Sequence, residues 1–193
     1  MLITLLDLER EPVRFDLSFS PGAIDYGDEA TQISDLAVKG EAELLREHRG
    51  PKEVVADIRA RAKWAGRFEA PCARCLDPVK HELAGEFDLL FRPLGVDAGP
   101  SERELGTPET EIGYYQEGGL VLEDVLREQV LLSLPARTLC SEDCKGLCPR
   151  CGRNLNEGAC TCEATSADPR WSALSDLRSR VDLKTKETNK VGH

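Results

Sequence analysis

Six of the chain's eight cysteines fall within CSEDCKGLCPRCGRNLNEGACTC, from Cys140 to Cys162, spaced C-x3-C-x3-C-x2-C-x8-C-x-C. The other two, Cys72 and Cys75, form a C-x2-C inside APCARCLDP. Eight cysteines in four close pairs are what two tetrahedral zinc sites require, because each site takes four thiolates. A structural zinc contributes on the order of ten kcal/mol to folding, comparable with the whole stability of an ordinary domain. The chain therefore reads first as a protein stapled by two structural zinc ions.

Disulfides are the competing use of eight cysteines. They belong to oxidising compartments and mostly to short secreted chains. The opening MLITLLDLEREPVRF mixes acidic and basic residues and has no cationic leader, long apolar core or cleavage site, so no signal peptide is expected. No stretch reaches the ~20 apolar residues that cross a bilayer. The expectation is a soluble cytoplasmic protein whose thiols stay reduced and bind metal. A sulfur-only ligand set does not itself separate zinc from iron.

Four pairs can be divided between two sites in three ways. Cys148 and Cys151 sit in CPRCG, where Gly152 lets the backbone fold back over an ion. Cys160 and Cys162 follow eight residues later and can complete that site within one short loop. Cys72 and Cys75 would then join Cys140 and Cys144, tying distant parts of the chain together. This grouping is preferred, and the other two stay open.

The first half of the chain alternates with period two, the pattern of half-buried strands. Val13, Phe15, Leu17 and Phe19 share one face of a strand, as do Val38, Gly40, Ala42 and Leu44 of another. In DIRARAKWAGRFEAPC the face is Ile58, Ala60, Ala62, Trp64, Phe68 and Ala70; after the knuckle it is Leu83, Phe87, Leu89 and Phe91. These last two runs predict a long hairpin with Cys72 and Cys75 at its tip. An antiparallel sheet with one wet face follows. LVLEDVLREQVLLSLP predicts a helix with Leu122, Val125, Leu126 and Val130 as its stripe and Pro135 as its stop. DPRWSALSDLRSRV predicts a second, short one, with Asp168 as N-cap and Pro169 in the first turn.

The expected organisation is an antiparallel β domain with the Cys72/Cys75 knuckle over 1–96 and an acidic loop over 97–118. A helix, zinc-binding segment and short helix follow over 119–181, then a polar Lys-rich tail over 182–193, expected to be disordered. The fold class is α+β: a curved antiparallel sheet, with barrel-like closure as one form of it, one or two helices, and a zinc-ordered C-terminal segment.

Two groups of cations are candidate contacts for nucleic acid. Arg59, Arg61, Lys63 and Arg67 line the outward face of the best strand. The facing run offers Glu82, Glu86 and Asp88, and one register pairs Arg67 with Glu82, Lys63 with Glu86 and Arg61 with Asp88. Cross-strand pairing would neutralise that stripe. Arg74, Lys145, Arg150 and Arg153 surround the knuckles. They either offset the formal charge of thiolate-bound zinc or present a basic tip to RNA phosphates. The net charge of -10 opposes bulk electrostatic grip on nucleic acid and suits a basic partner.

Catalysis finds little support. His48, His81 and His193 suggest no shared site, a catalytic zinc needs an open position, and there is no P-loop, dinucleotide fingerprint or H-E-x-x-H. A redox role for Cys72 and Cys75 lacks the surrounding βαβ pattern.

The order of parts resembles the YceD family of bacterial and plastid proteins. An alternating N-terminal half leads to CARCLDP, an acidic loop and LEDVLREQVLLSLP. SEDCKGLCPRCGRNLN with its C-x-C, then DPRWSALSDL, complete the likeness, which runs from about residue 10 to 180. LCSEDCKGLCPRCGRNLN is its most specific piece. The resemblance implies a role in the synthesis, processing or stability of large-subunit, 23S-type ribosomal RNA. The residues themselves add the expectation of a non-enzymatic factor whose partner is that RNA or a basic ribosomal protein, with neither a membrane nor a small-molecule substrate. A zinc-dependent transcriptional or protein-interaction adaptor is the rival expectation.

Overall fold

Alternation of apolar and charged residues turns most of the chain into sheet. The computed structural model describes residues 1–48, 54–96, 112–116 and 118–162. The chain divides into two compact units, Met1–Leu147 and Cys148–His193. The first contains, in order, β1 (Leu2–Ile3), α1 (Leu5–Arg10), β2 (Val13–Phe19), β3 (Thr31–Gln32), β4 (Leu36–His48) and β5 (Val54–Pro71). It continues with β6 (Pro78–Pro93), β7 (Ile112–Tyr115), β8 (Leu120–Val121) and α2 (Leu122–Ser133).

The main sheet has the order β2-β4-β5-β6-β7, with β3 added beside β5. Pairs β2–β4, β4–β5, β3–β5 and β5–β6 are antiparallel. The pairing of β6 with β7 is parallel, Leu90 opposite Ile112. That is one departure from an all-antiparallel sheet. Among the described residues the outer strands β2 and β7 do not pair, so the sheet is open and not a barrel. Ile112–Tyr115 also places a strand inside the segment read as a loop over 97–118; the rest of that reading, residue 116 and Gly118 apart, lies outside the described residues.

The inward face of β5 is buried along its length: Ile58, Ala60, Ala62, Trp64, Phe68 and Ala70. Phe15, Val38, Ala42, Phe87 and Phe91 join five of these, all but Ala70, in one core with Leu122, Val125, Leu126 and Val130 of α2. Gly85 lies opposite Trp64, and a Cβ there would come within 3.0 Å of the indole, so the missing side chain makes room for the ring. α2 carries Glu123 and Asp124 in its first turn, where the helix dipole favours anions. Its last residue is followed by extended Leu134, the conformation that Pro135 imposes on its predecessor. The terminal ammonium of Met1 pairs with the Glu123 carboxylate while Leu2 and Ile3 pair with Val121 and Leu120.

α1 was not among the expected helices. Its signal is local: Thr4 caps it, accepting from the Asp7 N–H at 3.2 Å. The second expected helix, at Asp168 and beyond, and the Lys-rich tail lie outside the described residues.

Candidate metal centres

β5 and β6 form the expected hairpin, closing at Pro71 opposite Pro78. The Cys72 N–H donates to the Asp77 carbonyl at 2.9 Å and the Leu76 N–H to the Cys72 carbonyl at 2.9 Å, folding the tip into a knuckle. A second segment, residues 138–147, is zipped onto it. Ala73 N–H donates to the Thr138 carbonyl at 2.8 Å and Leu147 N–H to the Arg74 carbonyl at 3.0 Å. The Arg74 guanidinium donates to the carbonyls of Glu142, 3.0 Å, and Cys144, 2.7 Å. Gly146 is needed at this close approach, for a Cβ there would sit 2.9 Å from the Arg74 carbonyl oxygen.

The zipper brings four sulfurs together. Cys72, Cys75, Cys140 and Cys144 each place Sγ within 4.8 Å of the other three. Cys72 and Cys144 are 3.8 Å apart, Cys75 and Cys140 3.5 Å. A zinc tetrahedron with ~2.3 Å bonds to sulfur has edges of about 3.8 Å, whereas a disulfide needs about 2.05 Å. These spacings fit a cation and exclude those sulfur–sulfur bonds. Val79, Leu139 and Leu147 pack around buried Cys72, Cys75 and Cys144, making a small core centred on sulfur.

In the second unit, Cys148, Cys151, Cys160 and Cys162 likewise lie within 4.8 Å of one another. The Gly152 N–H returns to the Cys148 carbonyl at 2.9 Å, with φ at 71°, and Cys148 N–H donates to the Arg153 carbonyl at 2.8 Å. Asn154 then caps a turn, its Oδ1 accepting from the Asn156 N–H at 3.0 Å, and carries the chain back to Cys160.

Backbone donors favour a thiolate at one cysteine of each cluster. Backbone N–H groups of Arg74 and Cys75, aimed at the Cys72 sulfur, bring it down to about 6. The N–H groups of Cys151 and Arg150 do the same for Cys148, also to about 6. The Cys151 thiol and burial push Cys162 up to about 12. At Cys75 the Asp77 N–H favours the thiolate, but burial, the Asp77 carboxylate, Cys72 and Cys140 together push it up. A further thiolate within 4.8 Å of the first needs positive charge between them. A divalent ion would supply it, and each cluster has the four-sulfur donor set that such an ion takes.

The outward stripe of β5 has the register in which Arg61, Lys63 and Arg67 oppose Asp88, Glu86 and Glu82. The ion pairs themselves are partly diagonal. Lys63 meets Glu86 at 3.3 Å, but Arg59 takes Asp88 with two bonds, 2.7 and 2.6 Å. Arg61 turns to Glu41 and Glu43 of β4, 2.9 and 3.1 Å. The Arg59 guanidinium holds the Asp88 carboxyl below the usual carboxylate range. An open trough of about 1020 Å³ runs over this face, lined by four cations and four carboxylates. It has no net charge with which to attract a phosphate backbone.

Of the other cations, Arg74 is committed to the carbonyls that fix the first cluster, and Lys145 is exposed beside it. Arg150 and Arg153 are exposed in the second unit. Sequence reasoning missed the structural task of Arg74, because its acceptors are backbone carbonyls about 70 residues away. It also missed buried Arg92, bound to Asp57 through two bonds of 3.1 and 2.9 Å and to Glu47 at 2.6 Å.

A family model described as large ribosomal RNA subunit accumulation protein YceD matches residues 60–178. The chain belongs to the YceD family. That span contains both cysteine clusters, and the family's description names an accumulation role and no reaction. An uncharacterized protein of Mycobacterium tuberculosis is 36% identical over 108 residues, 55% of this chain and 48% of its own length. One from Mycobacterium leprae is 31% identical over 132 residues, 65% of this chain and 57% of its own length. The chloroplastic large ribosomal RNA subunit accumulation protein YCED homolog 1 of Arabidopsis thaliana is 34% identical over 59 residues, 31% of this chain and 18% of its own. The match with the mycobacterial proteins thus spans about half of their length. No solved structure matches the chain.

Proposed function

We propose that this YceD-family chain is a non-enzymatic zinc-binding factor in ribosome biogenesis, acting in the cytoplasm to support the synthesis, processing or stability of 23S-type ribosomal RNA. The observation that carries the reading is the family match over residues 60–178, which takes in all eight cysteines. Each cluster offers four thiols and no histidine or carboxylate, the donor set of a closed structural zinc site. Two ions then hold the loops in place, and no reaction is assigned to them. The direct partner is large-subunit RNA or a basic ribosomal protein, without a membrane or small-molecule substrate. Arg150 and Arg153 are the cations best placed for an RNA contact, which would weaken steeply with salt.

Native mass spectrometry with elemental analysis should find two zinc ions per chain. Depletion of the protein should lower large-subunit RNA relative to small-subunit RNA. The wild type should restore the ratio, and a Cys72→Ser, Cys148→Ser double variant should not. An unchanged ratio on depletion would sink the ribosomal reading and leave the adaptor function in its place.

A further inference from the structure

The two knuckles have the same geometry and differ at one telling position. The residue after the second cysteine folds back in each, Leu76 onto the Cys72 carbonyl and Gly152 onto the Cys148 carbonyl, both at 2.9 Å. Both are left-handed, with φ of 65° at Leu76 and 71° at Gly152. Glycine adopts that backbone without steric penalty, and a branched side chain does not. Among the described residues Leu76 is the one non-glycine at positive φ. Its side chain gives the core little in return, since it is 63% exposed. A strained, water-facing leucine where glycine would serve the turn better points to use by something outside the molecule.

The surroundings specify what that is. Pro71, Ala73 and Pro78 are exposed beside Leu76, so the tip is an apolar knob. Its one arginine, Arg74, is turned away onto the carbonyls of Glu142 and Cys144. Exposed Asp77, Glu142 and Asp143 stand at its margin together with exposed Lys80 and Lys145. Three carboxylates against two ammonium groups leave the margin net negative, which disfavours phosphates and suits a basic protein, in keeping with the chain's net -10.

We propose that the Cys72–Cys75 knuckle is a protein-docking knob, with Leu76 entering an apolar pocket on a partner whose rim is basic. The inference rests on the ribosome-assembly reading and narrows its partner to a ribosomal protein. The sulfur cluster holds the knob rigid, so little conformational freedom is lost on binding.

Leu76→Gly separates fold from contact. It relieves the left-handed strain, so zinc content and melting temperature should be at least those of wild type. Binding is measured on two probes: the RNA-free protein fraction of the large ribosomal subunit, and protein-free large-subunit RNA. Wild type should bind the protein fraction, Leu76→Gly should bind it about tenfold or more weakly, and Leu76→Met should restore it. Leu94→Ala, at an equally exposed leucine outside the knuckle, should leave it unchanged. Equal binding by wild type and Leu76→Gly would overturn the knob. Binding to the RNA alone, weakened by Leu76→Gly, would overturn the protein assignment and make the tip an RNA contact. Wild type that co-sediments with large-subunit precursors while Leu76→Gly does so equally would remove the knob and leave the ribosomal reading. Wild type that binds neither probe nor precursor would remove both.

Discussion

Tyr26 is buried with its ring edge-on to Phe68, centroids 5.3 Å apart, and its hydroxyl meets no partner among the described residues. Burial disfavours the phenolate, so its pKa is pushed from 10.0 up to about 12. A raised value makes this contribution complete below the unfolded value and removes it as pH climbs toward the folded one. The chain should therefore lose on the order of 2 kcal/mol between about pH 10 and 12 through this residue. Tyr26→Phe keeps the ring contact and discards an unsatisfied hydroxyl, which is neutral or stabilising near pH 7. Denaturant titrations should show the variant losing less stability than wild type across that alkaline window; equal losses would mean the hydroxyl finds water or a partner. Residue-scale features of this kind divide sharply in how far the sequence exposes them. The β5–β6 register was legible because the knuckle fixes where the hairpin turns and alternation does the rest. The partners of Arg59 and Arg61 were not, because long side chains lean along the strands and choose between two neighbouring ladders.

At the scale of elements, the strands with strict alternation and the helix with a clean apolar stripe were readable, since each must bury one face. α1 and β7 were not. Both are short, and what fixes β7 is a parallel partner from which it is separated in sequence. Arg92 of β6 shows how the long strands are tied. It is 5% exposed, bonded to Asp57 of β5 and reaching Glu47 of β4, so one guanidinium joins three strands. Asp57→Ala leaves buried Arg92 with the more exposed Glu47 as its carboxylate partner. It should cost about 3 kcal/mol in denaturant unfolding, the low end for a broken buried pair. Lys63→Ala, which breaks the exposed pair with Glu86, should cost no more than about 1 kcal/mol. Similar costs for the two would mean that Glu47, with water, carries the Arg92 charge without Asp57.

Over the whole molecule the cysteines do two different jobs, and their legibility follows from loop length. Cys148 and Cys151 meet Cys160 and Cys162 across a short loop, so the second cluster is almost a local property of the sequence. The first joins positions some 65 to 72 residues apart, and only the hairpin and the zipper at 138–147 decide that grouping. With zinc bound, Cys148→Ser should therefore remove one ion and leave the unfolding of Met1–Leu147 as it was. Cys144→Ser should also remove one ion, but it releases the segment that closes over the hairpin tip. It should lower the stability of that unit by several kcal/mol, because metal binding there is part of its folding energy. Acid should release both ions, since protons compete with metal for every thiolate. Native mass spectrometry reads the ion count, and hydrogen exchange over β5 and β6 reads the unit's stability. Loss of both ions from Cys148→Ser, or unaltered exchange in Cys144→Ser, would contradict this division of labour. The first outcome would make the two sites one cooperative centre; the second would leave the hairpin tip held by its hydrogen bonds alone.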